Sequence, residues 1–213
     1  MAMRRFMFAL AFAVAACGEA AAPSGEAAAQ GGAAASGGQA AFVQACTAAL
    51  TAENPQAARW APEECAARWD RVVAAGPMAE AILAAAAGGP APRAGQFGPQ
   101  VEVTANASAR TFSFGWQAVG EPIPYDLVGA LRERGAALGL IGCAQVGTGE
   151  FNRVYSVTAA GGRALQLNIY ERTAPTGDAF SAYGVETNLT GRVQTLAQLR
   201  SDGSEWVATE CTY

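Results

Sequence analysis

The strongest constraint on this chain is its start. Arg4 and Arg5 form a cationic beginning, and residues 6–16 are an unbroken apolar run that ends at Cys17. A helix that crosses a bilayer needs about 20 apolar residues, so this run is too short to span one. A charged start, a short apolar centre and small residues at the end are the features of a secretory leader. Whatever follows is expected to fold outside the cytosol, where cysteines pair.

The residues that close the leader, Val14-Ala15-Ala16-Cys17, resemble the lipobox of bacterial lipoprotein precursors. The resemblance covers these leading residues only, and Val14 stands where that family usually has leucine. It implies that Cys17 is thioether-linked to diacylglycerol, becomes the new N-terminus and tethers the protein to a membrane by acyl chains. Gly18, a residue other than Asp, then implies transfer to the outer membrane of a Gram-negative cell, facing the periplasm. The alternative is ordinary cleavage after Ala15 or Ala22, which gives a soluble periplasmic or secreted protein. With Cys17 assigned to lipidation, four of the five cysteines remain: Cys46, Cys65, Cys143 and Cys211. An even set in an exported chain is expected to form disulfides.

Composition narrows the chemistry. The chain has 14 basic residues, all arginine, against 18 acids, and no histidine. Without Arg4 and Arg5 the balance is 12 to 18, a net charge of about −6. That balance, without a basic stripe, argues against nucleic acid and against electrostatic docking on anionic lipid. Without histidine there is no Ser-His-Asp or Cys-His activation, and without lysine no Schiff base, Ser-Lys dyad or Walker lysine. The cysteines are too scattered for a zinc site, no Asp/Asn cluster of calcium-loop type occurs, and the four methionines form no copper-binding segment. No metal or cofactor is expected.

Along the chain, residues 1–16 read as the signal peptide. Residues 17–40, nearly all Ala, Gly, Ser and Glu after the cysteine, read as a disordered tether that cannot bury enough apolar surface to offset its ordering entropy. Residues 41–87 read as a helical hairpin module. Phe42, Val43, Cys46 and Leu50 share one helical face, and Cys65, Trp69, Val72 and Val73 share another, so a Cys46–Cys65 staple is expected. Gly76-Pro77 is expected to break the second helix, with a third piece over residues 78–87 turning Ile82 and Leu83 inward. Residues 88–100, rich in proline and glycine, read as a linker.

Residues 101–213 are expected to form an antiparallel sheet packed on one helix, so the fold class is α+β. Val101 and Val103, then Phe112, Phe114 and Trp116, alternate with polar or small residues on either side of a turn at Asn106-Ala107-Ser108, the pattern of a hairpin. A helix is expected over residues 125–138, with Leu127, Val128, Leu131 and Leu138 buried. Strands follow over 140–146, 153–158 and 164–170, then a loop over 172–178. Asp202-Gly203 suggests a last hairpin of strands 193–199 and 205–212, with a helix over 192–200 as the alternative. A final strand beside residues 140–146 would let Cys143 and Cys211 pair. The triplets at Asn106 and Asn188 match the glycosylation pattern but read as turns.

Two functions compete. The first is a membrane-tethered envelope lipoprotein with a non-enzymatic binding, inhibitory or structural role and an envelope protein or cell-wall partner. The alternative is a carboxylate-based hydrolase acting on cell-wall polysaccharide or peptidoglycan, which needs two acids across a cleft. Glu171 and Asp178, with Tyr170, Arg172 and Tyr183 nearby, are the pair to examine for it. Glu63-Glu64 reads instead as a helix start, where two carboxylates favour the dipole.

Overall fold

Two antiparallel helices joined by a cystine begin the described part of the chain. The computed structural model describes residues 38–159, 164–173, 180–209 and 211; the expected leader, Cys17, residues 18–37 of the expected tether and Asp178 lie outside the described residues. Helix α1 (Gly38–Glu53) leads through a short 3-10 turn, Pro55–Arg59, into α2 (Ala61–Ala86). The Asn54 side chain caps the turn by accepting from the Gln56 N–H. Cys46 and Cys65 are bonded as expected, with Cα atoms 5.9 Å apart, and the Phe42 ring lies 5.4 Å from that of Trp69.

The break expected at Gly76-Pro77 does not occur, and α2 runs through both residues to Ala86. Proline removes one intrahelical hydrogen bond, but Ala75, Met78, Ala79 and Ile82 around it are buried, and their packing holds the helix. Gly76 serves close approach rather than termination: a Cβ there would meet Arg134 Nη2 at 2.6 Å. Arg134 crosses at this point to pair with Glu80 at 2.9 Å. Val73, expected inward, is 55% exposed, because the buried stripe runs through Cys65, Val72, Ala75, Ala79 and Ile82.

The hairpin of β1 (Val101–Asn106) and β2 (Thr111–Val119) forms with Val103 opposite Phe114. Helix α3 is shorter than expected, Leu127–Glu133. It starts where the Asp126 carboxylate accepts from the Gly129 N–H at 2.9 Å, and it stops at Gly135, whose φ of 77° takes the chain into the left-handed region. Leu138 therefore belongs to a strand. A meander follows, β3 (Ala137–Gly147), β4 (Glu150–Thr158), β5 (Ala164–Arg172) and β6 (Phe180–Asn188). The six strands lie in the order β1-β2-β6-β5-β4-β3, every neighbour antiparallel, so β6 closes against β2 and unites hairpin and meander.

Strand β6 answers to nothing in the expected pattern, and the C-terminal hairpin is not there. Thr195 and Gln198 form a capping box that starts α4 (Leu196–Leu199), so the expected strand over 193–199 is replaced by a helical turn. Gly203, at φ 85°, ends a 3-10 turn rather than a hairpin loop. Among the described residues of the expected strand over 205–212, only Val207 pairs, in a single antiparallel bridge with Cys143. That bridge puts the tail beside β3, and Cys143 and Cys211 are bonded.

One face of the sheet and the helices share one core. Val72, Met78 and Ile82 of α2 and Leu127 and Leu131 of α3 lie in the same buried cluster as Phe112, Phe114, Trp116, Tyr155, Leu167 and Val185. The helical hairpin is therefore docked on the sheet. Asp126 fastens the join: its Oδ2 receives Arg68 Nη2 at 2.7 Å and Nε at 2.9 Å, and its backbone N–H donates to the Arg71 carbonyl at 3.0 Å. Gly129 fits beneath, where a Cβ would meet Val72 Cγ2 at 2.7 Å.

Three stability effects follow, each readable as a shift of the urea midpoint. Asp126→Ala removes a helix cap and strands a half-buried arginine, and is expected to cost about 2–3 kcal/mol. Gly129→Ala is expected to cost about 1–2 kcal/mol by overpacking against Val72, although alanine is favoured over glycine in an open helix; a gain in stability would contradict this packing. Replacing both Cys46 and Cys65 by Ala is expected to cost about 3 kcal/mol.

Candidate functional site

Strand alternation sorts the polar residues of β4, β5 and β6 onto two faces. On the helix side Phe151 and Glu171 are register partners, as are Glu171 and Tyr183 and, on the far side of β6, Tyr183 and Trp116. On the open side the corresponding row is Glu150, Arg172, Ala182 and Gln117. Tyr170, Glu171 and Arg172 are consecutive in β5, so the cluster proposed around Glu171 is divided by the sheet itself. Tyr183 stays with Glu171, whereas Tyr170 and Arg172 face the other way. Asp178, the second acid of the proposed pair, lies outside the described residues.

On the helix side Glu171 forms an ion pair with Arg153, whose side chain is only 12% exposed against 19% for Glu171. The Arg153 guanidinium also lies 5.3 Å from the centre of the Phe151 ring. A carboxylate held in this way by an arginine is a structural anchor, and general acid–base work would first have to break the pair. Tyr183 is fully enclosed beside it. Burial first, then the Glu171 and Asp126 carboxylates, push its phenol well above the ordinary range, against a backbone hydrogen bond at Leu127 and the charge of Arg71.

The open face carries the more accessible constellation. The Tyr170 hydroxyl donates to Glu150 Oε2 at 3.3 Å, and Arg172 Nε lies 3.4 Å from Glu150 Oε1. The guanidinium of Arg172 lies over the ring of Phe180 at 4.0 Å, and Phe180 is 40% exposed. Burial, reinforced by Glu150, also raises the Tyr170 phenol, so it remains a hydroxyl donor at neutral pH. Gly115 and Gly184 are register partners next to this group, and the Tyr170 side chain packs against Gly184. Together they make a level, uncharged floor where backbone is within reach, bordered by the exposed acids Glu102 and Glu186.

The tail crosses the other half of this face. Gln194 and Gln166 exchange two hydrogen bonds of 2.8 Å, and Leu196, Leu199 and Trp206 close over Gly142. On the helix side of the molecule a pocket of about 250 Å³ is lined by Ala74, Pro77, Met78, Gln96, Phe97 and Tyr125. It falls below the roughly 300–1,000 Å³ of ordinary small-molecule sites. Among the described residues no group of three Cys, Asp or Glu side chains is placed to hold a metal ion, and no helix is long and apolar enough to cross a membrane.

Of the open-face group, Tyr170 and Arg172 were named in the sequence only as neighbours of Glu171, and Glu150 was not. Their signal is a pair of alternating positions in β5, present only with the strand extended through Arg172. Compared with protein-family models, curated proteins and solved structures, the chain matches none of them.

The raised phenol of Tyr183 gives a pH dependence of known sign. The folded state keeps this proton more tightly than the unfolded chain, whose phenol titrates near 10.0. Its contribution is therefore full below about pH 10 and is lost as pH rises through the folded value. With no lysine in the chain, the five tyrosines dominate the alkaline titration. The urea midpoint is expected to fall steeply above about pH 10, and Tyr183→Phe is expected to make that fall shallower. Equal slopes in the two proteins would contradict the burial of this group.

Proposed function

We propose that this chain is a lipid-anchored envelope protein of the outer membrane, facing the periplasm, that binds, inhibits or braces an envelope component without catalysing a reaction on it. In this reading Cys17 carries the acyl anchor. The residues between Cys17 and the start of α1 at Gly38 link that anchor to the α+β domain, which does the binding. The observation that carries the reading is the cysteine inventory. Cys46–Cys65 and Cys143–Cys211 are both bonded, and Cys17, at the end of the leader, is the one cysteine left over. Two structural cystines belong to an exported domain rather than a cytosolic one.

Binding is favoured over hydrolysis by where the acids sit. Glu171 is engaged by Arg153, Glu150 by Tyr170 and Arg172, and Asp126 by Arg68. The level floor at Gly115 and Gly184, with Tyr170 and Phe180 beside it, suits a flat contact with a partner protein or cell-wall polymer.

The test uses the full chain, solubilised in neutral detergent and immobilised. Envelope extract passed over it is expected to leave a stoichiometric partner, captured less well by Tyr170→Ala or Gly184→Arg. In parallel, incubation with purified peptidoglycan is expected to release no soluble fragments. Release that is abolished by a single carboxylate substitution would overturn the binding reading in favour of the hydrolase.

A further inference from the structure

The two edges of the sheet differ in a way that points to a second copy of this chain. Edge strand β1 carries Glu102, Thr104 and Asn106 exposed to solvent, so a carboxylate guards it. Edge strand β3 is the longer, and its 11 residues, ALGLIGCAQVG, include no charged side chain. Natural sheets protect such edges with charges, proline, β-bulges or a covering segment. Here the protection is a partial covering and a register shift between Leu140 and Gly142, which leaves Ile141 at the end of the stretch without a register partner in β4. Cys143 and Val207 exchange two backbone hydrogen bonds, of 2.9 and 2.8 Å, and the Cys143–Cys211 cystine fixes the tail there. Over residues 137–141, no described segment other than β4 makes a backbone hydrogen bond to the strand. Ala137 and Gly139 are exposed, and Leu138, Leu140 and Ile141 are half-buried.

We propose that residues 137–141 of β3 are a self-association edge that pairs antiparallel with the same residues of a second copy about a two-fold axis at Gly139, making one sheet continuous across two molecules. Three observations select this occupant. Antiparallel pairing of a stretch with itself is closed by a two-fold axis, so both copies use the same surface. The register sets Leu138 of each copy opposite Leu140 of the other and Ala137 opposite Ile141, with no like charges facing, which would be destabilising. The Val207 bridge shows that this edge already receives an antiparallel segment through paired backbone bonds. The tail at Cys143 limits the new pairing to these residues, about 17 Å of strand, so the association is weak and needs concentration.

The experiment is sedimentation equilibrium of the full chain in neutral, density-matched detergent, from low concentration to about 0.3 mM, where weak complexes form. The wild-type mass is expected to rise towards twice that of the monomer. Ala137→Lys with Ile141→Lys, which brings two ammonium groups opposite one another at each end of the pairing, is expected to stay monomeric. Thr104→Lys, on the other edge, is expected to behave as wild type. Should the double variant fail to fold by near-ultraviolet circular dichroism, Ala137→Lys alone, at an exposed position, serves in its place and is expected to weaken the dimer several-fold. A wild-type chain that stays monomeric throughout, a dimer that survives the β3 substitutions, or one abolished by Thr104→Lys would each overturn the proposal.

Discussion

The carboxylate of Asp126 is the join on which the two layers of this molecule depend. It is 8% exposed and does two things at once. One oxygen starts α3 by receiving the Gly129 N–H, and the other receives Arg68 from α2. A buried carboxylate without partners would be costly, so its retention ties helix capping and helix docking into one requirement. Gly129 and Val72 fit together immediately below, and the apolar stripe of α2 is thereby set against Phe112, Phe114 and Trp116 of the sheet.

Once the helices occupy one face, the other face and the edges carry whatever the molecule does with its surroundings. The two cystines act on different elements of this arrangement. Cys46–Cys65 holds α1 to α2, where large apolar side chains are few, and Cys143–Cys211 holds the tail across the outer edge of β3. Neither region has the density of buried aromatic groups found at Phe112, Phe114, Trp116, Tyr155 and Tyr183, so covalent closure takes over where packing thins.

Legibility in the sequence followed the purity of the periodic signal. Phe112, Phe114 and Trp116 alternate cleanly, and the β1–β2 hairpin was readable from them; so were the start of α2, from the carboxylates Glu63-Glu64 in its first turn, and the facing pair Cys46 and Cys65. Strand β6 was hidden because its inward residues include Ser181 and Thr187 while Phe180 points out, which reverses the expected order of polar and apolar side chains. At Gly76-Pro77 the local preference to stop lost to burial of the following turn. The helical turn at Leu196–Leu199 falls within the alternative helix over residues 192–200, which the hairpin signal at Asp202-Gly203 had outweighed. The acids around residue 171 looked like one cluster because β5 was taken to end at Tyr170. Two more residues of strand place Glu171 and Arg172 on opposite faces.

The proposed function requires an exported chain tethered at Cys17, with its four other cysteines joined as Cys46–Cys65 and Cys143–Cys211. Intact-mass and peptide mass spectrometry of the native protein, alkylated without reduction, tests this most directly. A mature N-terminus at Cys17 bearing acyl mass is expected, together with linked peptides for Cys46–Cys65 and Cys143–Cys211 and no alkylated cysteine. A chain without acyl mass, or one in which those four cysteines are alkylated before any reductant is added, would contradict it.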